Sequence, residues 1–238
     1  MSWCEYPGWL AGSEVLQNYG CRMASGFWIT IELVLISVLI GFAMALALAI
    51  ARLYGPRWAS LAVGGYTTFF RGTPLLCQLY LVYYGLGQFR VFWQDIGLWW
   101  FFRDPFYCAA LTFTLNTAAY QAEILRGAIQ AIPRGQFEGA ASLGLHRWAT
   151  LRLVALPQAM ILALRPLGNE LIVMIKASAI ASLVTLFDLM GATRLAFARS
   201  FDLSIYLYAA LIYLVLVEII RRIWDRAELR LSRHLALR

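Results

Sequence analysis

The chain alternates long apolar runs with short polar intervals, and the runs are too long for the core of a soluble domain. Phe27–Ala51 carries one ionisable side chain, Glu32, in 25 residues. As a helix it would be about 37 Å long, enough to cross a hydrocarbon core of about 30 Å. A second run lies within Trp58–Gly87 and is interrupted by RGTP at Arg71–Pro74. Three more cover about Phe106–Ile132, Pro157–Ala177 and Ile205–Ile223. The pattern predicts an all-α membrane protein of about five transmembrane helices. Residues 1–26 precede the membrane domain, 27–223 form it, and 224–238 make a basic tail.

One interval differs from the rest. EGAASLGLHRWATLRLVALP (Glu138–Pro157) is basic and rich in small residues. Pro133 closes the preceding helix, Gly135 and Gly144 interrupt the interval, and Pro157 is placed to open the next helix at its first turn. Phe137–Leu143 and His146–Val154 read as short amphipathic helices. Gly139, Ala140, Ala141 and Ser142 offer almost no bulk, so a partner can approach their backbone closely. The same segment also suits a helix lying at the lipid interface, anchored by Trp148 and the arginines.

Charge fixes the expected orientation. With the N-terminus outside, the inner segments hold twelve arginines (52, 57, 126, 134, 147, 152, 221, 222, 226, 230, 233, 238) and the outer ones five (22, 90, 103, 194, 199). The positive-inside rule therefore puts the N-terminus outside and the C-terminus and the 134–156 interval in the cytoplasm. Composition agrees with a membrane: 61% of residues are hydrophobic and 14% charged, against roughly a quarter charged in a soluble domain. The net charge of +7 thus reflects orientation, and no nucleic-acid partner is expected. The opening MSWCEYPGWL has neither a basic n-region nor a short apolar h-region, so no cleavable signal peptide is expected. Cys77 and Cys108 read as inert buried thiols. Cys4 and Cys21 either pair or stay as two free thiols, the latter slightly favoured. Two histidines without metal-ligand spacing predict no metal site.

The Glu138–Pro157 interval resembles the cytoplasmic loop of the permease subunits of bacterial ABC importers. That loop reads EAA, three residues, G, nine residues, I, one residue, LP. Here Glu138, Gly144, Val154, Leu156 and Pro157 keep the spacing, with Gly139 in place of the first alanine and Val154 in place of isoleucine. Phe70–Leu86, Leu115–Gly144 and Gly168–Gly191 are similar to the polar amino-acid branch, in particular to histidine, lysine, arginine, ornithine and opine permeases.

The resemblance implies a permease subunit in the bacterial inner membrane. Its partners would be an ABC ATPase dimer, a periplasmic amino-acid-binding protein and a second permease, either a paralogue or a copy. It implies that Glu138, Gly139, Ala140, Ala141 and Gly144 form a coupling helix that docks on the ATPase. The chain itself needs no cofactor, ATP and Mg being used by the ATPase. The sole lysine, Lys176, lies in an apolar run without a phosphate-cradling glycine pattern, so no ATPase site is expected here.

Ionisable groups inside a membrane are functional candidates, since a central charge costs at least about 2.5 kcal/mol. Glu170, beside Asn169, falls near the middle of the fourth span. Arg71 falls about 20 Å along a helix from Arg57. Arg71 would take an amino acid's carboxylate and Glu170 its cationic group, with Thr73 at a helix break that frees backbone groups for a polar solute. Arg71 equally suits a structural role, bonded to the carbonyls freed at that break or in contact with a neighbouring subunit. A negative group at Glu170 favours basic cargo, with glutamine or another polar amino acid as the alternative. Glu123 reads as a structural ion pair with Lys176 or Arg126. An ion-coupled transporter working alone and a membrane-embedded enzyme are the competing classes; no internal repeat and no catalytic His, Cys or carboxylate grouping supports either.

Overall fold

The computed structural model describes residues 14–231, with side chains from Tyr19 onward. All regular structure among these residues is helical. Helix α1 (Glu14–Tyr54) is followed by α2 (Arg57–Gly72) and by α3 (Leu75–Tyr80), which continues as a π-helical turn over Leu81–Gly85. Two short helices, α4 (Arg90–Asp95) and α5 (Trp99–Phe102), lead to α6 (Pro105–Gln130). Then come α7 (Arg134–Ser142), α8 (Arg147–Thr150), α9 (Leu156–Ala177), α10 (Leu189–Ser200) and α11 (Ser204–Leu231).

Three stretches are long and apolar enough to cross a membrane: Tyr19–Tyr54, Arg147–Val184 and Ser204–Leu231. The other two expected spans do not meet that measure, for different reasons. α6 has 26 residues, but Asn116, Thr117, Gln121, Glu123 and Arg126 make it polar. The second span is divided where the sequence places RGTP. Thr73 has φ −113° and ψ 147°, the extended conformation forced on a residue before proline. Its N–H and its hydroxyl both donate to the Phe69 carbonyl, at 3.1 and 2.8 Å, which closes α2.

Helix bounds differ from the expected ones at three places, each with a local cause. α1 begins at Glu14, well before Phe27, because Gly26 is a packing glycine and not a breaker. A Cβ there would lie 2.6 Å from the Asp188 carbonyl oxygen, so only glycine admits the backbone of that segment. Pro157 opens nothing. The helix runs into it through a π-helical turn at Leu151–Ala155, in which the Leu156 N–H reaches back to Leu151. Proline supplies no N–H and crowds the preceding turn, and widening that turn accommodates both defects. α11 runs past Ile223 to Leu231, since Arg, Ala, Glu and Leu are strong helix formers.

The chain divides into two compact units. One comprises the described part of Met1–Ser37 with Leu75–Phe113 and Val173–Ile219. Its core holds Met23, Leu189, Ala192, Ala196, Ile205 and Ala209. Asp188 caps α10, accepting from the Gly191 N–H at 2.8 Å, and Thr30 Oγ1 accepts from the Leu189 N–H at 3.1 Å. At the start of α11, Asp202 accepts from the Ser204 N–H at 2.9 Å, a bond that holds its carboxyl below the usual range. Cys21 is disulfide-bonded, which corrects the expectation of two free thiols; Cys4 lies outside the described residues. Cys108 is a buried free thiol as expected, whereas Cys77 is free but exposed.

The other unit comprises Val38–Pro74, Thr114–Ile172 and, as far as it is described, Ile220–Arg238. Its core is built from alanines one turn apart: Ala45 and Ala49 of α1, Ala122 of α6, then Ala155, Ala159 and Ala163 leading into and along α9. Without a hydrophobic force between helices in lipid, small residues let backbones approach and pack directly. Leu125, Ile129 and Leu167 fill the remaining space.

Candidate functional site

Glu170 is buried on α9, and its Oε1 accepts from Thr117 Oγ1 of α6 at 3.1 Å. One turn further along α6, Gln121 donates from Nε2 to Thr117 Oγ1 at 2.9 Å and to the Val38 carbonyl at 3.5 Å. Gln121 Oε1 is buried without a hydrogen-bond partner. A buried acceptor left open beside a buried carboxylate is an arrangement that calls for a donor. Arg71 is close enough for its charge to act on Glu170. Its guanidinium lies 5.3 Å from the Tyr120 ring centroid, and its carbonyl accepts from Tyr120 Oη at 3.4 Å. Asn116 Nδ2 donates to the Phe70 carbonyl at 3.1 Å, and Tyr66 Oη to the Leu115 carbonyl at 2.5 Å, so α2 and α6 hold each other at this level.

The structure therefore puts Arg71 within electrostatic reach of Glu170, and it adds Thr117 and Gln121 beside Glu170 and Tyr120 beside Arg71. These three were not singled out from the sequence, although their spacing puts polar groups at successive turns on one side of α6. One candidate falls elsewhere. Asn169 is exposed and lines a groove of about 260 Å³ with Gly168, Arg165, Trp224, Asp225 and Glu228. Neighbours in sequence are about 100° apart around a helix, so adjacency to Glu170 implies a different face. Thr73 is committed to closing α2.

Glu123 bonds to Arg126 as the i, i+3 spacing suggests, with Nη2 to Oε2 at 2.8 Å. It also pairs with Arg52 of α1, which in turn donates to Thr67 Oγ1 of α2 at 2.8 Å. One carboxylate thus joins α1, α2 and α6. Lys176 is exposed in the last turn of α9. Glu123→Gln is expected to lower the stability of the purified chain by about 2 kcal/mol, because two partly buried arginines lose their counter-charge. Thermal unfolding in detergent reads this. The double variant Glu123→Gln/Arg52→Gln should recover part of the loss; an additive further loss would show that the pair is not coupled.

The 134–156 interval has its own geometry. Gly144 has φ +75°. Its N–H donates to the Ala141 carbonyl at 2.9 Å and the Leu145 N–H to the Ala140 carbonyl at 3.1 Å, the paired bonds of a Schellman cap. His146 Nδ1 then caps α8 by accepting from the Ala149 N–H at 3.4 Å. Phe137 packs against the core of this unit, and Ala140 is buried. Glu138, Gly139, Ala141 and Gly144 are exposed. Leu143, at 81% exposure, and Trp148, at 62%, stand out beside them. No Cβ at Gly139 or Gly144 would meet another atom within 4 Å. Among the described residues no cluster of His, Cys, Asp or Glu is arranged to hold a metal.

An all-α chain with apolar outer faces, a buried carboxylate opposed by an arginine and an exposed small-residue loop has the features of a membrane permease. The family model for the binding-protein-dependent transport system inner membrane component matches residues 21–233, and the chain belongs to that family. The nopaline transport system permease protein of Agrobacterium fabrum is 37% identical over 210 residues, covering 88% of this chain and 87% of that one. The arginine ABC transporter permease protein of Haemophilus influenzae is 39% identical over 207 residues, with 86% and 90% covered. The crystal structure of an amino acid ABC transporter with histidines superposes with a TM-score of 0.79 at 32% identity, covering 90% of this chain and 96% of that one. The MetNI methionine ABC transporter shares the fold, with a TM-score of 0.75 at 18% identity. The chain is accordingly a multi-pass inner-membrane permease subunit of an ABC importer, and the ion-coupled reading has no support.

Proposed function

We propose that this permease moves basic amino acids or opines inward and that its α7–α8 interval is the contact with a separate ATPase. The observation that carries the cargo reading is the buried Glu170 beside the open Gln121 Oε1, with Arg71 within electrostatic reach. A zwitterion with a cationic side chain has one carboxylate for Arg71 and donors for Glu170 and Gln121. The names of the nopaline and arginine permeases support the same class. In this reading the chain crosses the membrane five times, α2–α3 and α6 completing the set, with the N-terminus outside. A second permease, a periplasmic binding protein and an ATPase dimer using ATP and Mg complete the importer.

The ATPase contact is supported by Leu143 and Trp148, two large apolar side chains exposed in the same short polar interval as Glu138, Gly139 and Ala141, since grouped exposed apolar side chains fit an interaction surface. Gly144 shapes the contact through its left-handed backbone. A β-branched residue there costs about 1–2 kcal/mol, whereas asparagine tolerates the conformation. Reconstitution with the co-expressed ATPase tests this. Gly144→Val should separate ATP hydrolysis from uptake, while Gly144→Asn should keep most of the coupling. Full coupling in Gly144→Val would overturn the assignment. Equal loss in both variants would move the cause from backbone shape to steric contact at Gly144 itself.

A further inference from the structure

Along one face of α11, Leu211, Val215, Ile219 and Ile223 follow one another at four-residue spacing, each about half exposed. An exposed apolar stripe of this kind suits contact with lipid. Arg222, Arg226 and Arg230 form a row of the same spacing one residue out of register with it, on the same side of the helix, with Leu229 beside them at 68% exposure. The acidic residues of this stretch are engaged elsewhere. Asp225 accepts from Arg221 at 3.3 Å and Glu228 from Arg165 at 2.8 Å, on the side turned toward α9. Glu218 lies one turn before Arg222, at the edge of the face. Arg226 and Arg230 make no ion pair among the described residues.

We propose that Arg226 and Arg230 bind the phosphodiester headgroup of an anionic phospholipid, with Ile223 and Leu229 set against its acyl chains. Arg226 lies about 33 Å along the helix axis from Ser204, where α11 begins, a length that matches a hydrocarbon core of about 30 Å and sets Arg226 at headgroup level when α11 crosses from its first turn. Two guanidiniums one turn apart, without an ion pair among the described residues, offer forked donors to one phosphate. The interleaved Ile223 and Leu229 distinguish a lipid from a free anion, which has no use for apolar neighbours. The inference needs only that α11 crosses a bilayer. It holds whichever end faces the cytoplasm and whatever the cargo, so its failure would leave the transport reading untouched.

The test is retention of phosphatidylglycerol against phosphatidylcholine by the full-length chain, read by native mass spectrometry after extraction from vesicles containing both. Wild type is expected to retain phosphatidylglycerol selectively. Arg226→Gln/Arg230→Gln should lose about fivefold in selectivity per arginine, and Arg226→Lys/Arg230→Lys should keep most of it. An unchanged selectivity in the glutamine variant, with the same unfolding temperature in phosphatidylcholine, would overturn the proposal. Complete displacement of the lipid by millimolar inorganic phosphate would overturn it in favour of a simple anion site. Loss of a co-purified ATPase with lipid retention unchanged would assign the face to a protein partner instead.

Discussion

Glu170→Gln is expected to cut uptake of arginine in reconstituted vesicles by roughly tenfold to a hundredfold, the range of a hydrogen bond to a charged group. The substitution keeps the volume and the bond from Thr117 Oγ1, so the helices stay in place. What disappears is the negative charge that the proposed reading sets opposite the cargo's cationic group. Uptake of a neutral polar amino acid such as glutamine should fall much less, and basal ATP hydrolysis should not change. Equal losses for arginine and glutamine would make Glu170 a packing residue. Unaltered arginine uptake would remove it from the pathway.

The second large effect concerns stability. Gly26→Ala places a methyl group 2.6 Å from the Asp188 carbonyl oxygen and 2.9 Å from the Leu189 nitrogen, both backbone atoms that no rotamer change can move. Overpacking of this kind costs about 1–3 kcal/mol. The shift would also strain the bond from the Leu189 N–H to Thr30. Gly65→Ala on exposed α2 meets nothing within 4 Å and serves as the control, with stability unchanged or slightly raised. Unfolding midpoints of the purified chain decide the matter. Parallel behaviour of the two variants would mean that the close approach at Gly26 does not hold in solution.

Much of this was legible in the sequence, because lipid leaves few choices. Long apolar runs become helices, and RGTP becomes a break since proline restricts the residue before it. The loop glycine was found by its spacing, but the reason for it was not: Gly144 supplies a left-handed turn, which motif matching does not express. Glu170 stood out as a charge in an apolar run. Thr117 and Gln121 did not, since hydroxyls and amides are ordinary in membrane helices until one is found buried against a carboxylate. Arg52 was assigned to a loop by charge counting, and its bond to Glu123 depends on how α1 and α6 pack. Asn169 shows the limit most plainly. Sequence adjacency suggested a shared site, and helical geometry turned the side chain to another face.

The alanines that line α1, α6 and α9 in the second unit have a mechanical meaning. A helix face made of methyl groups has little relief, so its neighbour meets a nearly smooth track instead of interlocked teeth. Where the alanines meet, displacement along such a track trades one set of methyl contacts for another, and only the larger side chains such as Leu125, Ile129 and Leu167 have to readjust. In the coupling proposed above, two positions along such a track lie close in energy, and a small push at the α7–α8 interval is enough to choose between them.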